Sequence, residues 1–119
     1  MDSRAIDDTG FVVLDVETTG LGAYSGDRIC EIAAVKLQQD EQIGEFWTMI
    51  DPGRPISEGA FAVNRITREM LMDAPASEAI LPDLMEFMGN AVIVAYNAKF
   101  DMRFIQAELK DCNRRNGVS

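Results

Sequence analysis

Histidine is absent from this chain, which also holds only two cysteines and one tryptophan among its 119 residues. Without histidine, the commonest zinc ligand and the usual proton shuttle at neutral pH are both missing. Cys30 and Cys112 form no C-x-x-C pair, so a thiolate zinc site and a redox pair are both unsupported, and two free thiols are expected. Basic residues are scarce as well: 11 Lys and Arg stand against 20 Asp and Glu, a formal charge of −9. Such a surface is unsuited to gripping long stretches of duplex through phosphates, so any nucleic acid must be touched briefly, through metal ions or with the help of a partner. No apolar run approaches the roughly 20 residues that span a bilayer, and the N-terminus lacks a basic-then-apolar signal pattern. The expectation is a cytoplasmic protein without a membrane partner. With 47% hydrophobic and 26% charged residues, the chain suffices for one domain with a modest core.

What is present concentrates at Phe11 to Gly20, FVVLDVETTG. Phe11, Val12, Val13 and Leu14 read as a short strand buried on both faces, followed by Asp15 and Glu17 at its carboxyl end. Residues two apart on a strand share a face, roughly 6 to 7 Å from each other. Two carboxylates held that way repel, and a cation between them would relieve the repulsion. Hard divalent ions take oxygen ligands, and a pair of Mg²⁺ or Mn²⁺ ions about 3.5 to 4 Å apart clamps phosphoryl groups. An edge strand whose acids simply face water is the alternative for this stretch alone. Thr18, Thr19 and Gly20 turn the chain, with hydroxyls and close backbone approach on offer.

Residues 1–10 are polar and aperiodic, an expected loose lead-in, and residues 21–27 form a loop. A second strand is expected over Arg28–Leu37, covered on both faces, and a third over Gly44–Ile50, joined to it as a hairpin. A Pro-containing loop leads to Phe61–Asn64, and Thr67 is placed to cap a short helix carrying Met70 and Leu71. Ile80, Leu81, Leu84, Met85, Phe87 and Met88 recur at helical spacing within Ser77–Met88; Pro82 allows a helix that starts just before it or one that starts at Ser77 and bends. Ala91–Ala95 reads as a fourth, fully buried strand. Asn97 is then a good N-cap for a helix carrying Phe100, Phe104 and Ala107, with Asp101 in its positive first turn. On these residues alone, Asp101 is equally well read as a complement to the helix dipole.

Three segments together are more specific: D-x-E-T-T-G at Asp15–Gly20, F-x-V-N-x-I-T at Phe61–Thr67, and V-A-Y-N-A-x-F-D at Val94–Asp101. In order and spacing they resemble the DEDD family of 3′ to 5′ exonucleases, which includes the proofreading epsilon subunits of bacterial DNA polymerase III. The resemblance implies an α/β, ribonuclease H-like mixed sheet flanked by helices, read here in the order βββαβα over residues 11–111, with 112–119 as a tail. It implies two-metal hydrolysis of terminal phosphodiesters to nucleoside 5′-monophosphates, with Asp15 bridging both ions, Glu17 binding one and Asp101 anchoring the other. It further implies that Thr18, Thr19, Gly20, Leu21, Val63, Asn64 and Phe100 hold the terminal nucleotide; Phe100 reads slightly better as a core residue from its register with Phe104. Lys99 and Arg103 lie one turn apart and would meet phosphate or plain solvent. The implied partner is a single-stranded or frayed 3′ end of DNA, and a polymerase subunit beside it.

Family members carry a fourth carboxylate on a last helix, preceded by His or Tyr as general base. Residues 111–119 hold neither, and Tyr96 belongs to a different motif, so the chain reads as truncated before the last strand and helix. Self-association through uncovered sheet is expected on that account. An RNA-end trimming exonuclease and a non-catalytic binding module are the alternative readings.

Overall fold

A computed structural model describes residues 10–115. Four strands, β1 (Phe11–Thr18), β2 (Ile29–Gln38), β3 (Glu41–Met49) and β4 (Val92–Val94), form one sheet in the order β3-β2-β1-β4. β1 and β2 pair antiparallel, as do β2 and β3, while β4 lies parallel to β1. The helices are α1 (Glu58–Asn64), α2 (Arg68–Leu71), α3 (Ser77–Met88) and α4 (Ala98–Arg115). The mixed sheet flanked by helices is therefore the architecture read from the sequence, with one helix, α1, that the reading placed in no element. The lead-in expected over 1–10 lies, apart from Gly10, outside the described residues, as does the end of the tail expected over 112–119.

β1 alternates strictly. Val12, Leu14, Val16 and Thr18 are buried, and they join Leu81, Leu84 and Met88 of α3 and Phe104 and Ile105 of α4 in the main core. α3 delivers its residues by helical spacing, as expected, and it begins at Ser77 with Pro82 inside it, the bent alternative of the two. A second cluster, Cys30, Ile66 and Leu71, gathers Met49 and Ile56 beside the start of β2. Both cysteines are buried and free.

The opposite face corrects two expectations. Phe11 and Val13 are 46% and 43% exposed, and Val92 and Val94 of β4 are 47% and 45% exposed, so neither strand is buried on both faces. Both α3 and α4 pack on the inner parity of β1, which leaves the outer parity without a covering layer among the described residues. β4 is also an edge strand of three residues, shorter than the expected Ala91–Ala95, and it pairs only with β1. β2 shows the same asymmetry, with fully buried Ile32 and Ala34 alternating with half-buried neighbours.

The β2–β3 hairpin turns through Gln39 and Asp40, with φ of +50° and +66°. Both central residues are left-handed, which suits the right-handed twist of the flanking strands and lets a two-residue connection close the hairpin. Among the described residues no helix is long and apolar enough to cross a membrane.

Candidate active site

Asp15 and Glu17 lie on the open parity of β1, towards its carboxyl end, while Asp101 enters from the first turn of α4. The Asn97 carbonyl accepts the Asp101 amide at 3.1 Å, and the Asn97 side chain accepts the Phe100 amide at 3.4 Å, so this helix starts where its cap dictates. Asp101 is only 6% exposed. Burial, then Asp15, then Glu17 push its carboxyl up to about 6. Glu17 is raised too, by burial first, then by Asp15 and by Glu31, its cross-strand neighbour. The three carboxylates named from the sequence thus sense one another across the chain. None of the ion pairs among the described residues, which use Arg28, Arg54 and Arg68, reaches any of them.

An uncompensated group of carboxylates is a donor set for a hard divalent ion such as Mg²⁺ or Mn²⁺, so the residues present fit that chemistry. As placed, no three His, Cys, Asp or Glu side chains among the described residues close on a common point tightly enough to hold an ion. Donor type and mutual electrostatics are in hand; a closed ligand shell is not.

Beside Glu17 lies a mostly apolar cavity of about 420 Å³. One wall is the end of β1 and the following loop, with Val16, Glu17, Thr18, Gly20 and Leu21; another is α1 with Gly59, Ala60, Val63 and Asn64; Phe100 of α4 closes it. Glu17 is the residue common to the acidic group and the cavity. The polar side chains here are committed to the scaffold. Thr18 donates its hydroxyl to the Gly20 carbonyl at 2.6 Å, and Asn64 donates to the Thr18 carbonyl at 3.2 Å while accepting the Ile66 amide at 3.0 Å. Ser57 caps α1 by accepting the Ala60 amide at 3.1 Å. Phe100 serves both of the roles weighed for it, lining the cavity and packing on Phe104 with ring centroids 4.9 Å apart.

Thr19 is placed differently. It is fully buried, does not line the cavity, and donates its hydroxyl to Asp27 at 2.9 Å. Asp27, which no local pattern singled out, also accepts the Gly22 amide at 3.0 Å and pairs with Arg54 at 3.7 Å, so it closes the loop that carries Gly20 and Leu21. A Cβ on Gly20 would sit 2.4 Å from the Asp27 carboxylate. Gly20→Ala should therefore unseat this triply held side chain, lowering stability by about 1–3 kcal/mol in chemical denaturation. In a double-mutant cycle with Asp27→Ala the two losses should add to clearly less than their sum.

A mixed sheet in the order 3-2-1-4, with helices packed on it and acids at the end of its central strand, defines the ribonuclease H-like class of α/β nucleases. Comparison with known proteins narrows this: residues 12–116 match the RNase T exonuclease model, and the chain belongs to that exonuclease family, the DEDD type related to polymerase III proofreading domains. The PolC-type DNA polymerase III of Thermotoga petrophila is 45% identical over 100 residues, covering 84% of this chain and 7% of that protein. Its Bacillus subtilis counterpart is 41% identical over 107 residues, again 90% of this chain and 7% of the relative. This chain thus spans less than a tenth of the length of these curated relatives. Among solved structures, exonuclease X in complex with 5′ overhanging duplex DNA superposes with a TM-score of 0.67 at 35% identity, over 79% of this chain and 52% of that one. Escherichia coli exonuclease I in complex with a dA16 oligonucleotide shares the fold, with a TM-score of 0.76 at 20% identity over 94% of this chain and 25% of that one.

Proposed function

We propose that the chain is a 3′ to 5′ exonuclease domain that removes nucleoside 5′-monophosphates from DNA ends, in a proofreading role beside a polymerase. The observation that carries this reading is the coupling of Asp101 to Asp15 and Glu17 at the mouth of an apolar cavity. The PolC-type relatives and the DNA held by exonuclease X favour DNA as the substrate.

In this reading the terminal base occupies the cavity against Phe100, where stacking contributes roughly 1–3 kcal/mol and tolerates any base. Thr18, Gly20, Leu21, Val63 and Asn64 shape its other walls, and Thr19 acts from behind by holding Asp27. Because Glu17 borders both cavity and acids, a seated nucleotide directs its phosphate toward Asp15 and Asp101. Those three side chains would hold two Mg²⁺ or Mn²⁺ ions, which when bound make a water nucleophilic at neutral pH and offset charge on the leaving 3′ oxygen. Buried Asp101 supplies the anion that helps orient the scissile phosphate's surroundings, and the apolar walls keep bulk water from the ester.

The test is release of mononucleotides from single-stranded DNA with Mn²⁺, run beside a melt of the same protein with and without the ion. Asp15→Asn should lower release by at least about 10²-fold and remove the Mn²⁺-dependent rise in melting temperature. A wild-type chain that neither releases nucleotide nor responds to Mn²⁺ would sink the proposal. An RNA strand of the same sequence, trimmed as fast as DNA, would redirect it to RNA ends.

A further inference from the structure

We infer that the buried pair Arg28–Glu108 is a positioning device, setting the helix that carries Asp101 in register against the strand that carries Asp15 and Glu17. The inference rests on the reading above for its consequence, and on separate residues for its evidence.

Glu108 lies on α4 and is 2% exposed. One carboxylate oxygen stands 3.2 Å from Arg28 Nε, and the other accepts the Ile29 backbone amide at 2.6 Å. The same guanidinium reaches Asp111 of α4 at 3.5 Å and donates to Ser77 at the start of α3 at 3.3 Å. Arg28 is in turn stitched to the end of β1. Its amide donates to the Thr19 hydroxyl at 3.1 Å, and its carbonyl accepts the Thr19 amide at 2.9 Å. A continuous path therefore runs from Glu108 through Arg28 to Thr19, two residues beyond Glu17.

Asp101 and Glu108 are two helical turns apart on one stripe, separated by roughly 10 Å of helix axis, with buried Phe104 and Ile105 between them. The apolar contacts of that stripe are non-directional, so they resist separation of α4 from the sheet far better than they resist sliding along it. A carboxylate bonded to a strand amide is directional and fixes both axial position and rotation. Stability alone does not call for this arrangement, since buried ion pairs replaced by apolar side chains of similar volume are often no less stable. What an apolar replacement forfeits is the register, and with it the approach of Asp101 to the strand acids.

The experiment compares wild type with the apolar double variant Arg28→Met/Glu108→Leu and with Glu108→Gln, whose amide oxygen still accepts the Ile29 amide. Three readouts are taken: the melting temperature, the affinity for Mn²⁺ by calorimetry, and the backbone amide resonance of Asp101 in the metal-free chain. The double variant should melt close to wild type, bind Mn²⁺ at least about tenfold more weakly and show a displaced Asp101 resonance, whereas Glu108→Gln should restore the resonance and most of the affinity. Wild-type Mn²⁺ affinity together with an unmoved Asp101 resonance in the folded double variant would overturn the inference. If the double variant does not fold, Glu108→Asp decides: too short to meet Arg28 and Ile29 together, it should move the Asp101 resonance, and an unmoved one overturns the inference. A wild-type chain that binds no Mn²⁺ would count against the nuclease reading, while the metal-free resonance would still decide the positioning.

Discussion

Asp101→Asn should reduce nucleotide release by about 10³-fold and, in the metal-free chain at pH 7.5, raise the melting temperature. The two effects have opposite signs because one carboxyl is asked to do two things. Its pKa is pushed from the ordinary 3.8 up to about 6 by burial and by the neighbouring Asp15 and Glu17 charges. Between those pH values the folded chain holds a proton that the unfolded chain has already released, so rising pH favours unfolding. The destabilisation begins near pH 4 and is complete above about pH 6. At pH 7.5 an asparagine of the same shape carries no charge into the site and removes the penalty, each kcal/mol recovered being worth about 4 °C in a domain of this size. Melting curves from pH 4 to 8 in chelator should show wild type losing stability relative to the variant across that window. Mn²⁺ should then raise the wild-type curve alone, because only the anion offers it a ligand. A variant that melts below wild type at pH 7.5 would show that the Asp101 carboxylate stabilises the fold by a hydrogen bond instead, and the acid cluster would lose its main support.

That tension was partly legible in the sequence. An apolar run that ends in two acids of one parity points to a strand with a charged end, and Asn97 followed by Phe100 and Phe104 at helical spacing points to a capped helix with Asp101 in its first turn. Both features depend on near neighbours, and both strand and helix are where the pattern places them. Coverage of the sheet was not legible, because Phe11, Val13, Val92 and Val94 look the same in a sequence whether a second layer packs on them or not. Helix α1 carried its signals, with Ser57 as cap and Glu58 in the first turn, but Pro55 and Gly59 around them read as loop. Asp27 and the Arg28–Glu108 pair had no local signal at all. Glu108 finds the Ile29 amide across 79 residues of chain, and only the folded topology makes them neighbours.

Phe104→Ala should have the largest effect on stability, about 3–5 kcal/mol, against a total of roughly 5–15 kcal/mol for a domain of this kind. Phe104 is 1% exposed and sits in the main core with Val12, Leu14 and Val16 of β1 and Leu81, Leu84 and Met88 of α3. Its neighbours on the same helical stripe are two buried acids, Asp101 before it and Glu108 after it, so α4 relies on Phe104 and Ile105 for apolar contact over the span between them. Truncation leaves a void that a close-packed interior refills only in part, and it admits water to two carboxylates whose ionised forms already suffer from burial. Phe104→Leu separates packing from aromatic contact. It should lose only about 1–1.5 kcal/mol in denaturant melts, while Phe100 loses the ring tilted at 50° against it and with that its fixed edge on the cavity. Mononucleotide affinity in the leucine variant should then fall more than its stability does. An alanine variant within about 1 kcal/mol of wild type would mean that α4 is not seated on β1 through this residue, and the placement of Asp101 would have to be explained some other way.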